Sequence, residues 1–251
     1  MTDNDTKSWG NLNWSSPELV IRLGTLEVKL AKSAGDVSTS FAYQKDVYWQ
    51  NPENWLTEWR TTTTVEPSTI DLVPITPDRD VITRPIRDLF IPPQSETTIY
   101  VGYPAWVQLK LSTGTLLADL ATELMSDTWL GPNTRSGEVA YATPTHARLQ
   151  YRNLPDDLHL IRTPVNIQND SEERLQISRL SIPAPELTTY LSSERLWTQT
   201  VVIHCDAKLE EAYVDIRARP PDFLSTPSIA SPPREVSTEN TMRKAIGFLL
   251  G

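Results

Sequence analysis

The chain is poor in cysteine, histidine and glycine. One Cys among 251 residues excludes a disulfide framework and any cysteine-based zinc or iron–sulfur centre within one chain. Three widely separated His leave little for a His-rich metal site, and none sits in an HxxxH or HExxH spacing. Nine Gly argue against nucleotide-binding folds built on several Gly-rich loops. No apolar run approaches the roughly 20 residues that span a bilayer. Basic residues are the minority charge, 23 Lys and Arg against 32 Asp and Glu, for a net charge of −9. An acidic surface repels phosphate backbones and anionic lipid, so neither nucleic-acid binding nor direct membrane insertion is expected. The start, Met1-Thr2-Asp3-Asn4-Asp5-Thr6, has no basic region followed by an apolar stretch, so no signal peptide is expected. With the lone thiol, this gives a cytoplasmic expectation. What is abundant is 20 Pro, 29 Thr and 8 Trp, the makeup of a β-rich protein with many turns.

Leu19 to Leu23, Gly24-Thr25 and Leu26 to Leu30 form the plainest element. Leu26, Val28 and Leu30 alternate with Glu27 and Lys29, and a two-residue loop with Gly joins the runs, so a hairpin is predicted. Phe41 to Trp49 reads as strand, and Thr61 to Thr64 as an edge strand. Between Pro67 and Pro104 the prolines fall too often for a long helix. Thr97 to Val101 and Val107 to Leu111 read as two strands, or as one broken at Pro104. Leu116 to Met125 fits a helical face as well as a strand, and both readings stand. Val165 to Gln168 and Arg174 to Ser178 flank Asn169-Asp170-Ser171-Glu172 and read as a hairpin, as do Leu196 to Ala207 and Glu211 to Arg219.

The organisation expected is a flexible 1–14, a β-rich body over 15–219 with two lobes dividing near 66, a Pro/Ser linker over 220–238 and an amphipathic helix over 239–251. In that helix Met242, Ala245, Ile246 and Leu249 fall on one face. The fold class is mainly β, antiparallel sandwich layers of immunoglobulin-like character.

Few residues carry a chemical signal. His204 and Cys205 are adjacent, but on a strand they point to opposite faces. Cys205 shares its face with Val201 and Ile203 and reads as a buried structural thiol. The acid pairs Asp78/Asp80, Asp156/Asp157, Glu172/Glu173 and Glu210/Glu211 read as solvated charges. Trp49, Trp55 and Trp59 read as core or half-buried aromatics. The densest constellation is Ser126 to Glu138, where Trp129, Asn133, Arg135 and Glu138 are candidate binding groups on a loop. No catalytic residue, metal ligand or cofactor is assigned.

That same stretch, with Asp127-Thr128-Trp129-Leu130-Gly131-Pro132-Asn133-Thr134, Gly137-Glu138 and Tyr141-Ala142, resembles the central motif of an uncharacterised prokaryotic family catalogued as a domain of unknown function (number 432). Ile91-Pro92-Pro93, Gly102-Tyr103-Pro104, Thr163-Pro164-Val165 and Leu196-Trp197-Thr198 fit the same pattern, over roughly residues 15 to 219. Leu130 departs from the Phe expected there. The tail beyond Pro220 reads as lying outside the match. The resemblance implies no activity, cofactor or catalytic residue. It implies an accessory role beside small mechanosensitive-type channels.

The functional expectation is therefore a non-enzymatic binding or accessory protein. A protein partner would dock Met242, Ile246 and Leu249 of the terminal helix in a groove. A homo-oligomer is left open. The alternative is an enzyme acting on a carbohydrate-like polar substrate through paired carboxylates and a Trp platform.

Overall fold

A computed structural model describes residues 9–33, 35–43, 57–62, 67–85, 87–130, 137–143, 147–205, 212–236 and 243–244. The protein is mainly β, with several antiparallel sheets. Its first strands are β1 (Gly10–Asn13), β2 (Glu18–Leu23), β3 (Leu26–Ser33), β4 (Asp36–Tyr43), β5 (Thr57–Thr62) and β6 (Thr69–Ile75). Next come β7 (Val81–Thr83), β8 (Leu89–Ile91), β9 (Ser95–Pro104), β10 (Trp106–Leu111), β11 (Leu116–Ala121), β12 (Ser126–Leu130) and β13 (Glu138–Thr143). The remainder are β14 (Leu160–Asn169), β15 (Leu175–Ile177), β16 (Leu180–Ile182), β17 (Thr189–Ser192), β18 (Arg195–Trp197), β19 (Val201–Cys205), β20 (Ala212–Ile216), β21 (Ser228–Ser231) and β22 (Arg243–Lys244).

Two compact units divide the chain. The first is Met1–Ile75 with Pro104–Leu124, and the second is Thr76–Tyr103 with Met125–Gly251. The division expected near residue 66 thus falls after Ile75, and the chain returns to the first unit for β10 and β11. Alternation in β10 explains the return. Val107, Leu109 and Leu111 are buried, and β10 lies between β6 and β11.

The first unit holds two four-stranded antiparallel sheets, β1-β6-β10-β11 and β2-β3-β4-β5. The predicted hairpin is β2 and β3, turning at Gly24 with φ +58°. Leu19, Ile21 and Leu23 face the core with Leu26, Val28 and Leu30. Arg22 and Glu27 sit opposite each other, and Arg22 Nε donates to Glu27 Oε2 at 2.8 Å. Of the edge strand expected over Thr61 to Thr64, Thr61 and Thr62 lie in β5, the last strand of its sheet among the described residues, and Thr63 and Thr64 lie outside the described residues. The stretch from Leu116, ambiguous in sequence, is strand β11. Leu117, Ala118, Leu120 and Ala121 are buried, because β10 offers an open ladder beside it.

In the second unit β12-β13-β7-β16 form a mixed sheet, and β8 pairs with β15. The large sheet runs β21-β17-β18-β14-β19-β20-β22, with β9 also on β14. Here β18 and β19 follow one another along one edge of β14, both parallel to it, with Ile161 opposite Leu196 and Val165 opposite Val201.

That arrangement corrects the hairpin expected around Asn169. The strand after the turn, β15, pairs with β8 instead of β14. The turn is closed by Asn169 itself, which is fully buried. Its amide donates to the carbonyls of Ile91, Pro92 and Glu173 at 3.1, 2.9 and 2.8 Å, and its Oδ1 accepts from Ser171 N and Oγ. Those bonds tie the turn to the end of β8.

The expected linker is corrected as well. Residues 220–236 belong to the second unit, where β21 pairs with β17, Glu235 N donates to Pro185 O, and Arg234 Nε donates to Thr76 O at 2.6 Å. Proline is compatible with this because β21 is an edge strand. Of the expected terminal helix only Arg243–Lys244 lie among the described residues. They form β22, antiparallel to β20, rather than a helical turn.

Candidate functional site

The large sheet of the second unit has one dry face and one polar face. Strand alternation fixes both. On the dry face lie Ile99, Val101 and Tyr103 of β9, Thr163, Val165 and Ile167 of β14, and Val201, Ile203 and Cys205 of β19, all buried. Three of the motif pieces meet here in a chain of hydroxyls. Tyr103 Oη lies 2.9 Å from Thr163 Oγ1, which lies 2.8 Å from Thr198 Oγ1. Thr198 donates to Gln199 O at 3.0 Å. Since each hydroxyl has one proton, that terminal bond orients the chain, with Tyr103 donating to Thr163 and Thr163 to Thr198. Burial pushes the Tyr103 phenol well above its ordinary range, and the bond to Thr163 offsets this in part.

The opposite face is the floor of a groove of about 1100 Å³. Thr98 and Tyr100 come from β9, Asn166 and Gln168 from β14, and Val202 and His204 from β19. Asp215 of β20 and Arg217 just beyond it continue the floor, and Pro220 to Phe223 form a wall. The sheet ladder uses the floor's backbone groups, so recognition falls to side chains. Some are already linked. Gln168 Nε2 donates to Glu96 Oε2 at 3.2 Å and to Asn166 Oδ1 at 2.9 Å, and Asn166 Nδ2 donates to Thr98 Oγ1 at 3.1 Å. Among the described residues the Thr98 proton and the Gln168 side-chain oxygen have no further partner. Other groups are unspent. Among the described residues, the side chains of Thr200, His204, Asp215, Arg217, Arg219 and Asp222 form no hydrogen bond or ion pair.

One end of the groove is aromatic. Phe223 stacks on Tyr151 with centroids 5.0 Å apart and 9° between planes. Its edge contacts are Trp197 at 5.2 Å and Tyr100 at 6.0 Å. The cluster fixes the Phe223 ring, which is still 43% exposed. Burial, then the neighbouring Tyr151, raises the Tyr100 phenol. Beside this cluster the buried Arg162 guanidinium donates to the carbonyls of Leu160, Pro155 and Asp157. Arg195 grips Asp156 with two nitrogens, at 2.7 and 2.8 Å. The Arg195 bond holds the Asp156 carboxyl below its usual range. Burial, then repulsion from Arg195, lowers Arg162. These groups lock the 151–162 segment behind the aromatic end.

The residues singled out in sequence lie elsewhere. Trp129 and Glu138 belong to the hairpin of β12 and β13, where Trp129 faces Val139 and Leu130 faces Glu138. A Cβ added at Gly137 would come within 2.5 Å of Trp129 Nε1, so that glycine makes room for the indole. Neither Trp129 nor Glu138 lines the groove. Asn133, Arg135, Met242, Ile246 and Leu249 lie outside the described residues. Cys205 is buried and His204 is on the polar face, as the strand period predicts. Sequence reasoning missed the groove because its polar positions come from strands far apart in the chain. The available signal was the polar half of each alternation, notably Asp215, Arg217 and Arg219. Among the described residues no three His, Cys, Asp or Glu side chains group as metal ligands, and no helix is long and apolar enough to cross a membrane.

A family model matches residues 8–250, nearly the whole chain. The chain belongs to the family described as "Protein of unknown function (DUF432)". The match extends past Pro220 to residue 250, so the tail expected to lie outside the family is part of it. Within this family chain, the motif pieces around Tyr103, Thr163 and Thr198 form the hydroxyl chain beneath the groove. No curated protein and no solved structure matches the sequence.

Proposed function

We propose that the protein is a non-enzymatic binding protein and that its ligand lies in the groove across β9, β14, β19 and β20. The carrying observation is a groove over the polar face of one sheet, where His204 and Asp215 on the strands, and Thr200, Arg217, Arg219 and Asp222 beside them, have no side-chain partner among the described residues. Two exposed ion pairs of the same unit, Arg79 with Asp127 and Arg195 with Asp156, lie outside the groove lining. The paired strands of the floor hold Thr98, Asn166, Gln168, His204 and Asp215 in fixed relative positions, so less ordering entropy is left to lose on binding. The cytoplasmic setting and the accessory role beside a channel belong to the same proposal. The first is supported by composition and the second by the family resemblance. The finer fold reading, sandwich layers of immunoglobulin-like character, is supported in the first unit by two four-stranded antiparallel sheets with alternate residues buried. The docking role of the terminal segment is not needed for this reading.

The test is a thermal-shift screen of the full chain against saccharides, short peptides, nucleotides and inorganic phosphate, run beside an Asp215→Ala/Arg217→Ala variant. At least one class should raise the melting temperature of the parent and leave the variant unmoved. A screen with no groove-dependent shift contradicts the reading. Turnover of any stabilising compound would move the protein to the enzymes.

A further inference from the structure

Resting on that reading, we propose that the groove takes a neutral oligosaccharide. Three observations select this class. First, the lining is electrically balanced, with Asp215 and Asp222 against Arg217 and Arg219. The chain as a whole carries −9. An anionic ligand would meet equal numbers of attractive and repulsive groups, inside a repelling field.

Second, the polar groups are both donors and acceptors, and they are spread across four strands. The Thr98 hydroxyl and Arg217 donate, and Asp215 and the Gln168 carbonyl accept. A sugar ring presents hydroxyls that do both, at similar spacing on every unit. An extended peptide would instead seek the open backbone of a strand edge. Here the central floor strands β14 and β19 are paired on both edges.

Third, the groove ends at the held ring of Phe223, beside Tyr100. The apolar C–H face of a sugar packs on such a ring, and Tyr151 and Trp197 keep the ring in place before the ligand arrives. The volume of about 1100 Å³ exceeds the roughly 300–1,000 Å³ of small-molecule pockets, which fits several linked units better than one.

The experiment is calorimetric titration of the full chain with cellohexaose, maltohexaose and mannohexaose, with glucose and a galacturonate hexamer for comparison. At least one neutral hexamer should bind, at least about tenfold more tightly than glucose. Its affinity should hold from about 0.05 to 0.5 M salt. Phe223→Ala and Asp215→Ala should each weaken it by about tenfold. The Asp215 variant guards against a folding defect, since that side chain has no partner to lose among the described residues. Preference for the galacturonate hexamer, or no neutral hexamer bound, overturns the saccharide assignment. A groove-dependent shift with peptide or phosphate alone in the thermal screen overturns it too and leaves the binding reading standing. No groove-dependent effect with any class defeats both.

Discussion

At the scale of single residues, two buried polar side chains of the second unit stand out because their polar atoms are hydrogen-bonded, Tyr103 and Asn169. The Tyr103 hydroxyl feeds the chain through Thr163 to Thr198, so Tyr103→Phe leaves Thr163 short of a donor in a dry core. The expected loss is about 1–2 kcal/mol, read as a lower urea midpoint with an unchanged slope. The same substitution has a pH signature. Burial raises the Tyr103 phenol above its ordinary value of 10.0 in the folded state. The folded protein therefore holds that proton more tightly than the unfolded chain. Its contribution is complete below about pH 10 and is lost as pH rises through the folded value. Tyr43, pushed up to about 12 by burial, acts in the same direction. Tyr103→Phe should flatten the alkaline fall in stability between about pH 10 and 12, while Tyr43 retains its share. An alkaline limb as steep in the variant as in the parent would remove this account. Asn169 is the second such residue. Asn169→Ala strips three carbonyls and Ser171 of partners, and its cost should be about 2–3 kcal/mol by denaturant titration.

At the scale of elements the prolines near the C-terminus change meaning. Read locally, Pro220, Pro221, Pro227, Pro232 and Pro233 make a linker. In the fold the same stretch supplies the wall of the groove, the Phe223 ring and the edge strand β21. A chain ended after Arg219 should lose more than about 10 °C in melting temperature, because it exposes β17 and the rings of Tyr151 and Trp197. A true linker would leave the melting temperature unmoved. What was legible in sequence was local. The β2–β3 and β19–β20 hairpins join strands adjacent in the chain, and alternation placed His204 and Cys205 on opposite faces. What was not legible depends on distant pairing. Asn166 and Gln168 look like ordinary exposed strand positions until β19 arrives beside β14 and carries Val202 and His204 to the same face. The turn at Asn169 has hairpin chemistry, but β9, β18 and β19 occupy the edges of β14. β15 is left to β8.

At the scale of the whole molecule, the chain crosses between two units three times, after Ile75, Tyr103 and Leu124. No composition change marks those points. Pro104 is the nearest signal: it is the last residue of β9 and the first of the segment that returns to the first unit with β10. The candidate site belongs wholly to the second unit, which is also where most of the family motif pieces lie. The Trp129 hairpin and the groove make rival claims to function, and amide-resolved NMR of the full chain separates them most directly. Titrated with cellohexaose, maltohexaose and mannohexaose in turn, the protein should show saturable shifts at Gln168, Val202, His204 and Asp215 with at least one of the three. Val139 and Ala140 should stay still. Shifts confined to the β12–β13 hairpin, or none that saturate with any of the three, would contradict the assignment of the groove as the binding site for a neutral oligosaccharide.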